Sequence, residues 1–275
     1  MILLLSGGSP LYGADRLFYF FHRMKLPFLC LMLLSMCSQL WAEAIMLNYS
    51  LWPRRPEAIA EARSLILQQE LDQALKVLAP YVKEKNIGGK EARGLTARIN
   101  KRRYLSRQNP HATIYQVRSG DHVARIAQAN QTPLDFLFLL NGIIEPSRLN
   151  IGQKLVVAPM TLRLEIDAKE QELRVWDADV LVAVYPVTVS EGAHEGAADA
   201  SDLKVSDRFA YDQGRRVSPQ SMNYMSANRV LKLSNGAYIH GEQSIPGATG
   251  SYRLAQRDIN ELALLVRAGT RVEVL

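Results

Sequence analysis

Ile114-Tyr-Gln-Val117-Arg-Ser-Gly120-Asp121 opens a 46-residue stretch that closes with Leu149-Asn-Ile-Gly152-Gln153-Lys-Leu155-Val-Val157-Ala-Pro159. Ile114–Val117 reads as a short strand, and Ser119-Gly120-Asp121 as a turn. Asp121 is placed to cap a helix starting near His122, because a short side-chain oxygen at that position accepts from orphan amides of the first turn. Val123, Ile126 and Ala127 recur at helical spacing and give that helix one apolar face. A second helix starts at Thr132-Pro133-Leu134-Asp135, with Thr132 as cap, Pro133 in the first turn and Asp135 at the positive end. It carries Leu134, Leu137, Phe138 and Leu140 and stops at Asn141-Gly142. The turn at Ile151-Gly152-Gln153 leads into a strand over Lys154–Val157. The order is βααβ.

Working outward, residues 161–275 read as mostly β. Leu162, Leu164 and Ile166 alternate along one strand, and Glu172–Trp176 and Val180–Thr188 form a meander turning at Asp177-Ala178-Asp179. Residues 191–202, rich in Gly, Ala, Asp and Ser, read as an exposed loop. Asn235-Gly236 between Val230–Leu233 and Ala237–His240 is a strong hairpin signal. Asp258–Val266 is expected as a helix capped by Asp258, and Arg271–Leu275 as a last strand. On the other side, residues 50–106 form a helical region, with residues 107–113 as a linker. Ala58, Ala62, Leu65, Ile66 and Gln69 mark one helix face, and Leu71, Ala74, Leu75, Leu78 and Val82 a second. Gly88-Gly89 is expected to break the pattern before a third helix over Lys90–Leu105, which ends in the basic run Lys101-Arg102-Arg103. The spacing weakly resembles a tetratricopeptide hairpin of one and a half repeats. It reads as a helical spacer, with a basic docking surface for a partner protein as the alternative. The fold class is therefore α+β: a helical hairpin region, a βααβ module and a mostly-β C-terminal domain.

The first 44 residues do not read as fold. Arg23-Met24-Lys25, the apolar run Leu26–Leu34 and Ala42-Glu43-Ala44 have the three-part layout of a secretory signal, cleaved after Ala42 or Ala44, with residues 1–23 upstream of it. The chain is expected to be exported, to the periplasm or the cell wall, or anchored at the membrane if the segment is retained. A lipoprotein reading rests on Leu34-Ser35-Met36-Cys37. Both cysteines, Cys30 and Cys37, lie in this segment, so the exported chain would hold no thiol. A net charge of +6 over 275 residues permits an anionic partner. No reading module for nucleic acid is present.

Tyr115-x-Val117-x-x-Gly120-Asp121, Ile126-Ala127, Leu140-Asn141, Leu149-x-x-Gly152-Gln153-x-Leu155 and Pro159 together resemble the LysM module over residues 114–159. The resemblance implies binding of N-acetylglucosamine-containing glycan, peptidoglycan with chitin left open, in a groove between the loop before the first helix and the loop after the second. Carried over, that groove involves Gly120, Asp121, His122, Ile143, Ile144 and Pro146. His122-Val123 stands where the family usually has Thr-Leu. One module of short loops implies modest affinity.

Leu164-x-Ile166-Asp167, Gln171-x-Leu173-x-Val175, Tyr185-Pro186-Val187, Ile239-His240-Gly241, Gly250-x-x-Arg253-Leu254 and Val266-x-x-Gly269-Thr270-x-Val272-x-Val274 resemble, in order, the L,D-transpeptidase (YkuD-like) domain over 161–275. That family's chemistry uses a Ser-His-Gly-Cys-x-Arg motif in which a cysteine thiolate attacks a peptide carbonyl. The matching residues here are Ala248, Thr249, Gly250, Ser251, Tyr252 and Arg253, so the thiol and its histidine are both replaced. The resemblance thus implies a degenerate domain without a catalytic residue, in which Ser251, His240, Gly250 and Arg253 are vestigial and Arg253 can hold a peptide carboxylate. The alternative is an acyl transferase using Ser251 with His240 as base. His111 and His194 lack metal-ligand spacing, so neither a metal site nor a cofactor is expected. The partners implied are peptidoglycan glycan, its stem peptide and a cell-wall enzyme.

Overall fold

The computed structural model describes residues 57–143, 149–190, 203–241, 245 and 250–275. The stretch 1–44 read as a secretory signal, the loop read at 191–202, Ile144, Pro146, Ala248 and Thr249 lie outside the described residues. The structure is α+β throughout, and it starts with helices α1 (Glu57–Leu67), α2 (Leu71–Leu78) and α3 (Ile87–Tyr104). Ile59 and Ala62 of α1, Leu78 of α2, and Ala92 and Leu95 of α3 share one small core. Ile59, unread in the sequence, is buried, whereas Gln69 is exposed in the turn at a positive φ of 65°.

The Gly88-Gly89 pair does not break a helix. It lies inside the first turn of α3, where Asn86 caps by accepting from the Gly89 amide at 2.7 Å. Glycine is needed at 89 because a Cβ there would fall 2.1 Å from the Glu84 carbonyl oxygen. Nor is the helical region a spacer. On α3, Arg93 is 1% exposed and donates to Glu172 at 2.9 Å, to Glu170, and to the Glu84 carbonyl at 2.6 Å. Asn100 donates to the Leu181 carbonyl at 2.7 Å, and Tyr104 to Asp177 at 2.6 Å. Glu170, Glu172, Asp177 and Leu181 all belong to the β domain, so α3 is bolted across it. Residues 107–113 are pinned as well: Asn109 donates to the Tyr104 carbonyl, and His111 Nε2 sits 2.5 Å from Asp177.

The βααβ module follows: β1 (Thr113–Gln116), α4 (Val123–Ala129), α5 (Leu134–Asn141) and β2 (Lys154–Val157). The two strands pair antiparallel, with Tyr115 opposite Leu155. Helix α5 is apolar on more than one face, the pattern of a helix buried on more than one side. Leu137 and Phe138 pack into the module's own core with Val117, Val123, Ile126 and Leu155. Phe136 and Leu140 instead enter the core of the C-terminal domain.

That domain has two sheets. One has the strand order β12-β3-β4-β5, from Arg271–Val274, Leu162–Asp167, Glu172–Asp177 and Val180–Pro186. The other runs β6-β11-β10-β9-β7-β8, from Thr188–Val189, Ser251–Arg253, Tyr238–His240, Asn228–Leu233, Val205–Asp212 and Arg215–Val217. Leu164, Val175, Leu231, Ile239 and Tyr252 from both sheets join Ile259 and Leu262 of helix α6 (Gln256–Leu265) in one core. Asn235-Gly236 forms the expected turn between β9 and β10, with Gly236 at a φ of 89°. Asp258 does not cap α6; Ala255 holds that position without a side-chain bond, and Asp258 lies in the first turn. Strand β7, whose apolar alternation Arg208 interrupts, was not read in the sequence.

Arg208 is buried for a specific reason. Its guanidinium donates to both oxygens of Asp135, at 2.8 and 2.9 Å, and to the Ala263 carbonyl at 2.5 Å. Asp135 is fully buried in the first turn of α5, so it faces an ion pair rather than solvent. Burial works against the Arg208 charge, yet Asp135 beside it holds the pKa above the ordinary arginine value. Arg229 lies 3.7 Å from the same carboxylate, and its pKa is lowered, chiefly by burial.

Removing one member of a buried pair strands the other charge. Asp135→Ala is expected to cost about 3–5 kcal/mol in urea unfolding; a loss below ~1 kcal/mol would mean that water or relaxation rescues Arg208. Within α3, Gly89→Ala is expected to destabilise by about 1–3 kcal/mol as an overpacked site. Gly94→Ala, with nothing within 4 Å of its added methyl, should instead stabilise by up to ~1 kcal/mol. Equal effects of the two substitutions on the unfolding midpoint would contradict this placement of α3.

Candidate functional site

Two places collect the residues singled out in the sequence. The first is the loop between β1 and α4. Gly120 turns the chain at a φ of 82°. Asp121 follows, and its carboxylate accepts from the Arg118 amide at 2.7 Å and from the Tyr115 hydroxyl at 2.9 Å. Asp121 therefore does not cap α4, whose cap position is His122 without a side-chain bond. It ties the loop back to β1 instead. The Arg118 amide, then the Tyr115 hydroxyl, hold its pKa below the usual carboxylate range, and the Tyr115 hydroxyl is correspondingly pushed up by Asp121. His122 and Gly120 are exposed, free of the structural work that Asp121 performs. On the other flank, Gly142 ends α5 at a φ of 61°, and the Ile143 amide returns to the Phe138 carbonyl at 3.0 Å. Ile143 packs against the core cluster that holds Val117 and Val123, the residues bracketing the Gly120 turn.

Two polar side chains fix the frame behind these loops. Asn141 donates to the Val156 carbonyl at 2.8 Å and accepts from the Val156 amide at 2.7 Å, replacing a strand neighbour for β2. Thr132 does not cap α5 as expected; it accepts from the Ala158 amide at 3.0 Å and donates to the Asn130 carbonyl at 3.1 Å. The LysM domain family matches residues 115–158. Residues 115–158 are a LysM domain. In the LysM domain, then, Gly120, His122 and Ile143 are the described groove candidates left open to a ligand, and Asp121 is the residue that shapes it.

The second place is the pair of parallel strands β10 and β11. Register sets Tyr238 opposite Ser251 and His240 opposite Arg253. Ile239 and Tyr252 alternate inward and are buried. Ser251 is engaged with Ser190: its amide donates to the Ser190 hydroxyl at 2.8 Å, its own hydroxyl lies 3.3 Å from that oxygen, and the Ser190 amide returns to the Ser251 carbonyl at 2.9 Å. The Tyr238 amide donates to the Gly250 carbonyl at 3.2 Å. His240 is buried, and its Nδ1 donates to the Gly241 carbonyl at 2.8 Å. A Cβ at Gly241 would meet the end of the Gln256 side chain of α6 at 2.2 Å, so that side chain would have to turn away. The strands thus bring Ser251, His240, Gly250 and Arg253 together, but register offsets His240 by two residues from Ser251. Ser190 was not found in the sequence, since no motif marks it. Among the described residues no group of His, Asp and Glu is arranged to hold a metal ion.

The chain is also similar to a Bacillus licheniformis protein that carries the name L,D-transpeptidase YkuD, with 23% identity over 167 residues, 58% of this chain and 98% of that relative. Among solved structures it resembles an L,D-transpeptidase from Xylanimonas cellulosilytica, at 19% identity and a TM-score of 0.28 over 42% of this chain and 61% of that one. It also resembles one from Stackebrandtia nassauensis, at 16% identity and a TM-score of 0.30, over 43% and 57%. The chain thus spans less than two thirds of the length of either solved structure.

The Asp121 bonds carry a pH test. Because the folded carboxyl pKa is depressed, its contribution is complete above the ordinary carboxylate range and is lost as pH falls through the depressed value. The Arg118 amide proton is expected to shift in an NMR titration only at that acid end. A midpoint at or above the usual aspartate value would contradict the Asp121–Arg118 bond.

Proposed function

We propose that this chain is an exported, noncatalytic peptidoglycan-binding protein of the cell wall. The LysM domain grips the glycan, and the transpeptidase-like domain holds stem peptide or a wall enzyme without turning over a bond. The observation that carries the first half is the LysM match, with Gly120, His122 and Ile143 presented around a loop that Asp121 holds in shape. The second half is supported by the state of the strand that matches the catalytic motif. A serine hydroxyl needs a positioned base to act as a nucleophile. Ser251 is bonded to another serine, and His240 stands two residues along the paired strand, opposite Arg253 rather than Ser251. The sequence offers no cysteine beyond Cys30 and Cys37 as a substitute.

Purified protein mixed with isolated sacculi is expected to co-sediment with them, and soluble N-acetylglucosamine oligomers should release it. His122→Ala is expected to weaken retention severalfold while leaving the unfolding midpoint unchanged. Protein left in the supernatant would remove the glycan-binding reading.

A further inference from the structure

A cleft of about 580 Å³ lies between the helical region and the β4–β5 turn, and none of its walls comes from the glycan loops or from β10 and β11. Leu75 of α2, Val82, and Val180 and Leu181 of β5 line it, with Pro110 from the approach to β1. Val82 and Leu181 are buried and share a small core with Trp176. Leu75 and Val180 stay partly open to solvent, Val180 at 46% exposure. Asn100 fixes the spacing of the two sides through its bond to the Leu181 carbonyl. The volume has room for about twenty waters at about 30 Å³ each. Water against apolar walls finds few partners, so an apolar body that replaces it buries both surfaces. One side chain of a partner protein would leave most of that volume to water.

The charges around the cleft are already matched. Lys83 lies 3.0 Å from Asp179 and Arg103 2.7 Å from Asp72. Asp177 accepts from Tyr104 and lies 2.5 Å from His111 Nε2. Lys76 adds to the field on Asp72, whose carboxyl Arg103 already holds below its usual range. With Asp72 counted behind Arg103, the cations Lys76, Lys83 and Arg103 meet as many carboxylates, Asp72, Asp177 and Asp179. Burial, then the bond to Asp177, pushes the Tyr104 hydroxyl up, so that wall stays uncharged.

One polar group is left over. Thr96 of α3 stands in the wall of the cleft at 6% exposure, and its buried hydroxyl has no hydrogen-bond partner among the described residues. A buried hydroxyl without a partner costs free energy, and a ligand oxygen brought to that wall would recover it. A carboxylate or ammonium would instead give up its hydration for a single neutral bond.

We infer that this cleft binds an uncharged, mainly apolar molecule of the acyl-chain kind, with one hydroxyl or carbonyl oxygen seated at Thr96. The site needs both the helical region and the β domain, and it is independent of the glycan and peptide readings. It gives the helical region a ligand of its own.

The test uses the full chain with N-phenylnaphthylamine, an uncharged dye that brightens on leaving water, and with dodecanol or dodecanoate as competitor. The dye is expected to bind, dodecanol to displace it, and dodecanoate to need about tenfold more. Val180→Glu, at an exposed place on the rim, should weaken the dodecanol-displaceable signal about tenfold and leave the urea unfolding midpoint unchanged. Thr96→Val keeps the side-chain shape. It is expected to weaken dodecanol about fivefold, leave the dye unaffected, and hold or raise the unfolding midpoint, since an unpartnered hydroxyl is removed. A structural threonine would not separate alcohol from dye in this way. No displaceable dye, equal competition by dodecanoate, or dodecanol affinity unchanged in either variant would overturn the site. Co-sedimentation with uncharged phosphatidylcholine vesicles that Val180→Glu abolishes would mean a chain drawn from a bilayer, and protein left in the supernatant a freely dissolved molecule; both outcomes support the site. Loss of sacculus retention in the unsubstituted protein sinks the glycan reading alone.

Discussion

Helix α5 sits between two cores, and the buried Asp135–Arg208 pair is the constraint on which the arrangement depends. Leu137 and Phe138 complete the LysM core, while Phe136 and Leu140 complete that of the β domain. A helix shared in this way cannot swing on a linker. The ion pair fixes it further, because a buried charge pair tolerates little displacement before both members lose their partners. Arg93 does the same on the other side, tying α3 to the β3–β4 turn. The loops of the LysM domain and the β10–β11 strands therefore stand on one frame. If each held a ligand as proposed, the fixed separation would let two weak contacts reinforce each other.

Much of this was legible in the sequence. The βααβ order, the Asn235-Gly236 hairpin and the alternation along β3 are local signals, and local signals survive tertiary context. The caps were less so. Asp121, Thr132 and Asp258 all occupy places where short polar side chains commonly cap, and none of the three caps its helix. Asp121 has Tyr115 within reach across the strand, and Thr132 has the Ala158 amide. Each partner is set by tertiary pairing that sequence spacing does not reveal.

Buried charges were the larger omission. Arg93, Arg208 and Asp135 look like surface residues in any window of sequence. Their partners are Glu172, Asp135 and Arg208, at separations of 79 and 73 residues. No strand was read over 205–212, where Arg208 interrupts the apolar alternation of β7. Of the groove candidates, Gly120, His122 and Ile143 lie in the two loops flanking α4 and α5, while Asp121 bonds Tyr115 and Arg118 and holds its loop in shape. That position 251 holds serine and not cysteine was legible without any structure; its contact with Ser190 was not.

The central claim is that a transpeptidase-like strand pair survives here without the chemistry. The most direct measurement incubates the protein with a tetrapeptide-bearing muropeptide and a D-amino acid acceptor, and follows both the muropeptide and the intact protein by mass spectrometry. The account predicts unchanged muropeptide and no mass added to Ser251. Exchanged product that vanishes in Ser251→Ala would contradict it and make the serine a working nucleophile.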